Sequence, residues 1–247
     1  MRLDLWLVEH QHFTTRTRAQ AAIKEGLIQV NGKSETKPSH LVSPDDHVLV
    51  LGEAYTYVSR AALKLKHALE VFGFSVKDEV VLDIGSSTGG FTEVLLEFGA
   101  KEVIAIDVGT DQLAPKLRQD ARVKVYENTH FLHADPALYA HATKAVCDVS
   151  FISSVPLLSR LAQSRPIDMI VLIKPQFEQR LGKKKDVIRD EKQRLKLLQD
   201  YQKRLSQEGL FMQALIPSPL QGSEGNVEYL AWVNTQPSNV ELSLFKR

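Results

Sequence analysis

Two patterns in this 247-residue chain are spaced for chemistry on a small ligand. The first is Val80-Val81-Leu82-Asp83-Ile84-Gly85-Ser86-Ser87-Thr88-Gly89-Gly90-Phe91-Thr92. An apolar run ends in Asp-x-Gly, passes through small residues and re-enters an apolar helical pattern. This predicts a buried strand, a tight glycine turn and a helix start. Glycines there let a ligand lie against bare backbone, and the helix N-terminus offers unpaired N–H groups. Spacing selects the ligand. A P-loop needs Lys-Ser/Thr after its last glycine, where Phe91-Thr92 stands. A dinucleotide fingerprint needs G-x-G-x-x-G, but Gly85 and Gly89 are four apart. The second pattern is Val103-Ile104-Ala105-Ile106 followed by Asp107, 22 residues beyond Gly85. An acid ending the second strand can take both ribose hydroxyls. Ribose recognition without a pyrophosphate cradle points to S-adenosyl-L-methionine (SAM). A plain strand–loop–helix turn accounts for the glycines but not for the acid that accompanies them.

Four further polar residues stand where a crevice would gather them. Lys64 lies on the helix before the first strand of this region. Asp148 ends Ala145-Val146-Cys147, Lys174 ends Met169-Ile170-Val171-Leu172-Ile173 and precedes Pro175, and Glu228 follows Gly225-Asn226-Val227. Ligands bind outside the carboxyl ends of the strands in open α/β sheets, so Asp148 and Lys174 are expected beside Gly85 and Asp107. A lysine near two carboxylates can orient a hydroxyl and accept its proton. Any one of the four is equally well a surface charge at an element end; the chemical reading needs all four to converge. The histidines offer no metal set. His10 with His12, and His130 with His133, are close in sequence but have no Cys or His partners to complete a site.

Alternating helices and strands must position these residues. Arg60 to Phe72 reads as a helix with Ser59 as its N-cap. Strands are expected at 80–84, 103–107, 123–126, 145–149 and 169–173, then around 211–215 and 228–233, the late two as a candidate antiparallel pair. This alternation predicts an α/β fold, a Rossmann-like sheet with helices on both faces, over residues 60–247. Residues 1–51 read as a separate small α+β module. Leu3, Leu5, Leu7 and Val8 fit a short amphipathic helix. A second helix is expected over Arg16 to Glu25, with Thr14 or Thr15 as N-cap and Gly26 as its stop. Leu27 to Val30 alternates as a strand, Asn31-Gly32 is a hairpin signal, and Val48-Leu49-Val50 closes the module. Residues 52–59 read as a linker.

Composition narrows the class. Hydrophobic residues make up 43% and charged residues 25%, as in an ordinary globular protein, and the net charge is only +1. Charge is concentrated locally: Arg180 to Arg204 holds ten Lys/Arg against four Asp/Glu. That run suits nucleic acid, although a solvated helix face would look the same. A lone cysteine, Cys147, excludes an internal disulfide and suits a reducing compartment. No apolar stretch approaches the roughly 18 residues of a membrane span, and Met1-Arg2-Leu3-Asp4 puts an acid where a signal peptide would begin its apolar region.

The N-terminal segment resembles the S4 RNA-binding domain through Arg2-Leu3-Asp4, Arg16 with Ala19-Gln20-Ala21-Ala22-Ile23, Gly26 and Val30-Asn31-Gly32. It departs in charge, with six Lys/Arg balanced by six Asp/Glu, so an RNA face must come from Arg16, Arg18, Lys24 and Lys33. Residues 57 to 247 resemble the TlyA family of FtsJ-like RNA 2′-O-methyltransferases, often labelled hemolysins. The matching runs include Tyr57-Val58-Ser59-Arg60-Ala61-Ala62-Leu63-Lys64-Leu65, the stretch Leu82 to Thr92, and Ala105-Ile106-Asp107-Val108-Gly109. Further along they include Asp148-Val149-Ser150-Phe151-Ile152-Ser153, Lys174-Pro175-Gln176-Phe177-Glu178 and Gly225-Asn226-Val227-Glu228-Tyr229-Leu230.

The resemblance implies a catalytic tetrad of Lys64, Asp148, Lys174 and Glu228. It implies a SAM loop of Asp83, Gly85, Ser86, Ser87, Thr88, Gly89 and Gly90, the ribose acid Asp107, and Glu127-Asn128 near the adenine. Arg60 and Lys183, Lys184 and Lys185 join the RNA-facing cations. His130 stands where the family usually has Arg, and Gly182-Lys183-Lys184-Lys185 replaces Gly-Lys-Gly-Gly; both departures touch substrate contacts. The implied activity is methyl transfer from SAM to a ribose 2′-hydroxyl of ribosomal RNA, at a cytidine of the large subunit, by a cytoplasmic enzyme using neither metal nor membrane. Two rival readings are a membrane-active hemolysin, which needs a spanning or strongly amphipathic apolar segment, and a non-catalytic RNA-binding protein with a vestigial SAM fold, which predicts loss of tetrad residues.

Overall fold

The computed structural model describes residues 1–13, 15–24, 26–50, 57–163, 165–178, 187–222 and 225–238. The chain divides into two compact units, Met1–Thr56 and Tyr57–Arg247. Most of the expected linker, residues 52–56, lies outside the described residues, and Tyr57 to Ser59 belong to the second unit.

In the first unit, α1 (Leu3–Glu9) and α2 (Arg16–Lys24) pack on a three-stranded antiparallel sheet of β1 (Ile28–Val30), β2 (Lys33–Glu35) and β3 (Val48–Val50), with β1 in the middle. The β1–β2 turn places Asn31 at φ 53° and Gly32 at φ 76°, the left-handed pair that matches strand twist in a two-residue hairpin. Leu3 and Leu7, one helical turn apart, enter the core with Ala19, Ile23 and Ile28. Leu5 points outward and is exposed, so the α1 apolar face is narrower than its leucines suggested. Between Leu3 and Leu7 sits the fully buried Asp4, whose carboxylate accepts from Arg2, Arg16 and Gln20 at 2.7–3.0 Å. The Arg2 bond, aided by Gln20 and Arg16, holds its pKa far below the usual carboxylate range. A buried charge with this many donors is tolerated.

The second unit has a seven-stranded sheet in the order β6-β5-β4-β7-β8-β10-β9. The strands are β4 (Val80–Ile84), β5 (Glu102–Ile106), β6 (Val123–Tyr126), β7 (Lys144–Cys147), β8 (Asp168–Ile173), β9 (Phe211–Pro217) and β10 (Tyr229–Asn234). Strands β4 to β8 run parallel, and β10 runs antiparallel to both β8 and β9. Side chains alternate between two cores. Leu82, Ile84, Ala145, Cys147, Val171 and Ile173 meet α6 (Val155–Ala162) and α7 (Glu191–Gln207) on one face. Val81, Val103, Ala105, Val146, Ile170 and Leu172 meet α3 (Ala61–Phe72) and α4 (Gly90–Glu97) on the other. A short helix α5 (Pro115–Arg118) leads into β6. Helix α3 begins one residue later than expected. Arg60, not Ser59, is its N-cap and makes no side-chain capping bond. After β4 the chain builds outward through β5 and β6, then returns to lay β7 on the other side of β4. The carboxyl ends of β4 and β7 therefore form the switch point where a ligand crevice opens.

Candidate active site

The loop after β4 is shaped by a close backbone approach. Gly85 has φ 85°, and a Cβ there would lie 2.5 Å from the carbonyl oxygen of Asp148, so an L side chain is excluded twice over. Gly85 and Ser86 donate their N–H groups to Ile106 O, which anchors the loop to the end of β5. Asp107 follows at once. Its carboxylate accepts from Ser87 N at 2.8 Å and Gly109 N at 2.6 Å. A carboxylate offers about four lone-pair positions, so two backbone bonds orient Asp107 and leave capacity for a ribose diol. A cavity of about 340 Å³ opens beside it, lined among others by Gly85, Ser87, Asp107, Gly109, His130 and Phe131.

Several residues expected at the cofactor also have partners within the protein. Asp83 is fully buried beneath the loop and accepts from Thr92 Oγ1 at 2.6 Å, which ties β4 to the first turn of α4. Its Oδ1 has no partner among the described residues. Burial, reinforced by the Asp148 and Asp107 charges, pushes its carboxyl up to about 7. Glu127 accepts from Arg118 Nη2 and from the N–H groups of Asp111, Gln112 and Leu113 at 2.8–2.9 Å. The Arg118 pair first, and then these backbone donors, lower its pKa to about 2. Glu127 thus braces the 111–113 turn. Neither it nor Asn128 lines the cavity, whose wall is made there by Thr129 and His130. His130 Nδ1 accepts from Leu132 N. Gly89, at φ 97°, faces Leu113 and Leu117, whereas Ser86, Ser87, Thr88 and Gly90 line a second cavity of about 240 Å³.

That second cavity also touches Gly85, Asp148, Lys174 and Lys64, and so joins the first to a third of about 280 Å³. The third is lined by Arg60, Lys64, Lys174, Gln176, Asn226 and Glu228, with aromatic and glycine neighbours. The four polar residues singled out in the sequence therefore converge. Lys64, buried on α3, donates to Glu228 Oε2 at 2.5 Å. A methyl group on Gly222 would lie 2.6 Å from Glu228 Oε1, so glycine there makes room for the carboxylate. Lys174 Nζ lies 2.6 Å from Asp148 Oδ1. This is an ion pair without a directed hydrogen bond, since that oxygen accepts none among the described residues. Nζ donates instead to Ser150 Oγ at 2.9 Å.

Two features had no role in the sequence reading. Phe151 sits at φ 71°, a strained conformation for a bulky residue. The residue is 69% exposed, its ring packs at 5.1 Å against Phe177, and it lines both the first and third cavities. Strain stored at a crevice wall is a functional signal. Behind it, buried Glu178 accepts from Ser153 Oγ, from Ser154 N and Oγ, and from Arg204 Nη2, at 2.5–3.0 Å. Glu178 thereby binds the loops after β7 and β8 to α7. Arg204 is therefore a structural ion-pair partner, and Arg194 donates to the carbonyls of Ile188 and Arg189. The basic run is less available to RNA than its charge implied, and Lys183, Lys184 and Lys185 lie outside the described residues. In the first unit Arg18, Lys24 and Lys33 are exposed, while Arg16 donates through Nε to Asp4.

A doubly wound sheet with a cavity-lining acid at its switch point, beside a Lys-Asp-Lys-Glu cluster, fits a methyltransferase of the FtsJ-like class. The FtsJ-like methyltransferase pattern matches residues 57–235 and the S4 domain pattern residues 1–48. The chain belongs to the TlyA family, in which these two domains are joined. It is 39% identical to the 16S/23S rRNA (cytidine-2'-O)-methyltransferase TlyA of Mycobacterium tuberculosis, over 95% of this chain and 90% of that protein. It is 36% identical to the 23S rRNA (cytidine-2'-O)-methyltransferase TlyA of Campylobacter jejuni, over 93% and 97%. A solved structure named "Putative hemolysin from Streptococcus thermophilus" superposes with a TM-score of 0.76 at 37% identity, covering 98% of this chain and 92% of that one. No helix among the described residues is long and apolar enough to cross a membrane.

Proposed function

We propose that this protein transfers a methyl group from SAM to the ribose 2′-hydroxyl of a cytidine in large-subunit ribosomal RNA, in the cytoplasmic compartment that holds ribosomes. The observation that carries the reading is the convergence of Lys64, Asp148, Lys174 and Glu228 on adjoining cavities of about 240 and 280 Å³ beside the one at Asp107. The donor set fits SAM. Asp107 keeps acceptor capacity for a ribose, and Gly85 lines the same cavity. Cytidine and the large subunit are supported by the names of the two curated relatives. The intact tetrad speaks against a vestigial site.

SAM, when bound, would supply an electrophilic methyl group on its sulfonium. Asp107 holds the ribose end. Lys174 lines the junction between the cavities, where its Nζ would orient the hydroxyl oxygen and take up the proton that the hydroxyl loses. Asp148 and Ser150 fix the position of Nζ, and the Lys64–Glu228 pair holds the nucleotide from the opposite wall. Closing water out of such a junction strengthens each of these contacts.

The test is Lys174→Ala, assayed by single-turnover transfer of labelled methyl to ribosomal RNA alongside SAM affinity. Transfer should fall by about 10²–10⁴-fold, with SAM binding within about threefold of wild type. Transfer within about tenfold of wild type would refute the role of Lys174. Mapping 2′-O-methyl marks in cells with and without the gene identifies the nucleotide.

A further inference from the structure

The wall of the tetrad cavity carries two amide side chains whose hydrogen bonding is incomplete. Asn226 is 2% exposed and Gln176 is 7% exposed, and both line the cavity with Lys64, Lys174 and Glu228. Asn226 Oδ1 accepts from Ile188 N at 3.0 Å. That bond decides which way round the amide sits, and so leaves Nδ2 as a buried donor with no partner among the described residues. Gln176 follows Lys174 in a tight turn closed by Phe177 N donating to Lys174 O at 2.8 Å. Its Oε1 is a buried acceptor with no partner among the described residues. Native structures rarely leave buried polar atoms unpaired, so each of these two atoms calls for a partner, and both side chains belong to the wall of this cavity.

We propose that Gln176 and Asn226 read the base of the target nucleotide, Gln176 Oε1 accepting from an exocyclic amino group and Asn226 Nδ2 donating to the adjacent ring nitrogen. This rests on the 2′-O-methyltransfer reading, because the tetrad places the ribose and the adjoining wall then faces the base. Cytosine offers N4–H₂ as donor and N3 as acceptor. Uracil offers the reverse, O4 as acceptor and N3–H as donor, so both contacts would turn repulsive. Guanine reverses them likewise. Adenine shares the cytosine order through N6 and N1, so only size separates it. A base turned into a pocket is read along this edge, and neither amide carries a charge that would bind any phosphate indiscriminately.

The experiment uses the full-length protein with SAM and a ribosomal RNA fragment bearing the mapped target. The fragment is made with cytidine, with uridine, or with a pyrimidin-2-one nucleoside that lacks the 4-amino group. Wild type should prefer cytidine over uridine by about 10- to 100-fold, the usual worth of a two-bond base contact, and should lose about tenfold on the analogue lacking the amino group. Gln176→Met keeps the side-chain length and removes the acceptor, and should bring the cytidine-to-uridine ratio below about fivefold. Asn226→Asp keeps the oxygen that accepts from Ile188 and exchanges the donor for an acceptor, which should move preference toward uridine. The ratio is internal to each protein, so partial misfolding does not mimic the effect, and the analogue tests wild type with no substitution at all. Equal transfer to cytidine and uridine by wild type, or wild-type ratios in both variants, would overturn the base reader while leaving methyl transfer intact. No transfer by wild type to any of the three would overturn the functional reading and this inference with it.

Discussion

Replacing Lys64 or Glu228 should separate stability from catalysis. Nζ and Oε2 are 2.5 Å apart, with only 7% and 4% of the two side chains exposed. At an effective dielectric near 20, charges at that separation attract by about 6–7 kcal/mol, most of which is offset by the desolvation of both ions. The intact pair therefore contributes little net stability, but a lone survivor is costly. Lys64→Met strands a buried carboxylate, and Glu228→Gln strands a buried ammonium. Each should cost about 3–5 kcal/mol. At about 2–4 °C per kcal/mol for a unit of this size, the midpoint should fall by about 6–20 °C. The double variant Lys64→Met/Glu228→Gln removes both charges and keeps the volume, so most of that loss should return. Methyl transfer should not return, because the nucleotide wall has lost the Lys64–Glu228 pair. Differential scanning calorimetry and single-turnover transfer, run on the same three proteins, decide the matter. Single variants that melt within about 1 kcal/mol of wild type would show that the pair is better solvated than its burial indicates. A double variant that recovers transfer would remove the pair from the site.

Asp107→Ala should weaken SAM binding by about 10- to 150-fold, the worth of hydrogen bonds to a charged group, measured by calorimetry; undiminished affinity would remove Asp107 from the ribose. Asp83 gives a pH signature. Burial raises its carboxyl from an ordinary 3.8 to about 7, so between those values the folded chain keeps a proton that the unfolded chain releases. Stability must then fall as pH rises through that window. Asp83→Asn keeps an acceptor for Thr92 and should be more stable than wild type at pH 8 but not at pH 4, as judged by urea midpoints; parallel pH profiles would refute it. A protein starting at Tyr57 should bind ribosomal RNA fragments more weakly and with a shallower salt slope than the full chain, since each neutralised phosphate releases counterions. Identical slopes would mean that Arg18, Lys24 and Lys33 touch no phosphate.

Much of the scaffold was legible because it rests on local pattern. Continuous apolar runs such as Val103 to Ile106 and Met169 to Ile173 marked the central strands, and Asn31-Gly32 marked a hairpin that needs two left-handed residues. Asp148 and Lys174 could be placed together because both end strands, and strand ends in such a sheet share one side. What stayed hidden depends on partners distant in sequence. Leu5 looks like Leu3 and Leu7 until the sheet chooses which face of α1 to cover. Arg204 looks like RNA-binding charge until Glu178, 26 residues away, is seen to accept from it. The strain at Phe151 is a backbone property that residue type does not report.

The comparison of Asp107 with Glu127 shows where residue type stops being informative. Both are acids placed by motif beside the same cavity. Asp107 makes two backbone bonds from the loops flanking it and retains free acceptor positions facing the cavity wall. Glu127 receives three N–H groups and a guanidinium, which fill its acceptor capacity, and it does not line the cavity. Gln176 and Asn226 are the opposite case, each with an unpaired side-chain atom in a residue that lines the third cavity. Amides are common in turns and carry no signature by type, but an amide atom that is buried, unpaired and part of a cavity wall has capacity left for a substrate. A ligand contact is thus better located by counting unused hydrogen-bonding capacity than by residue identity, and that count exists only once the fold has assigned every partner.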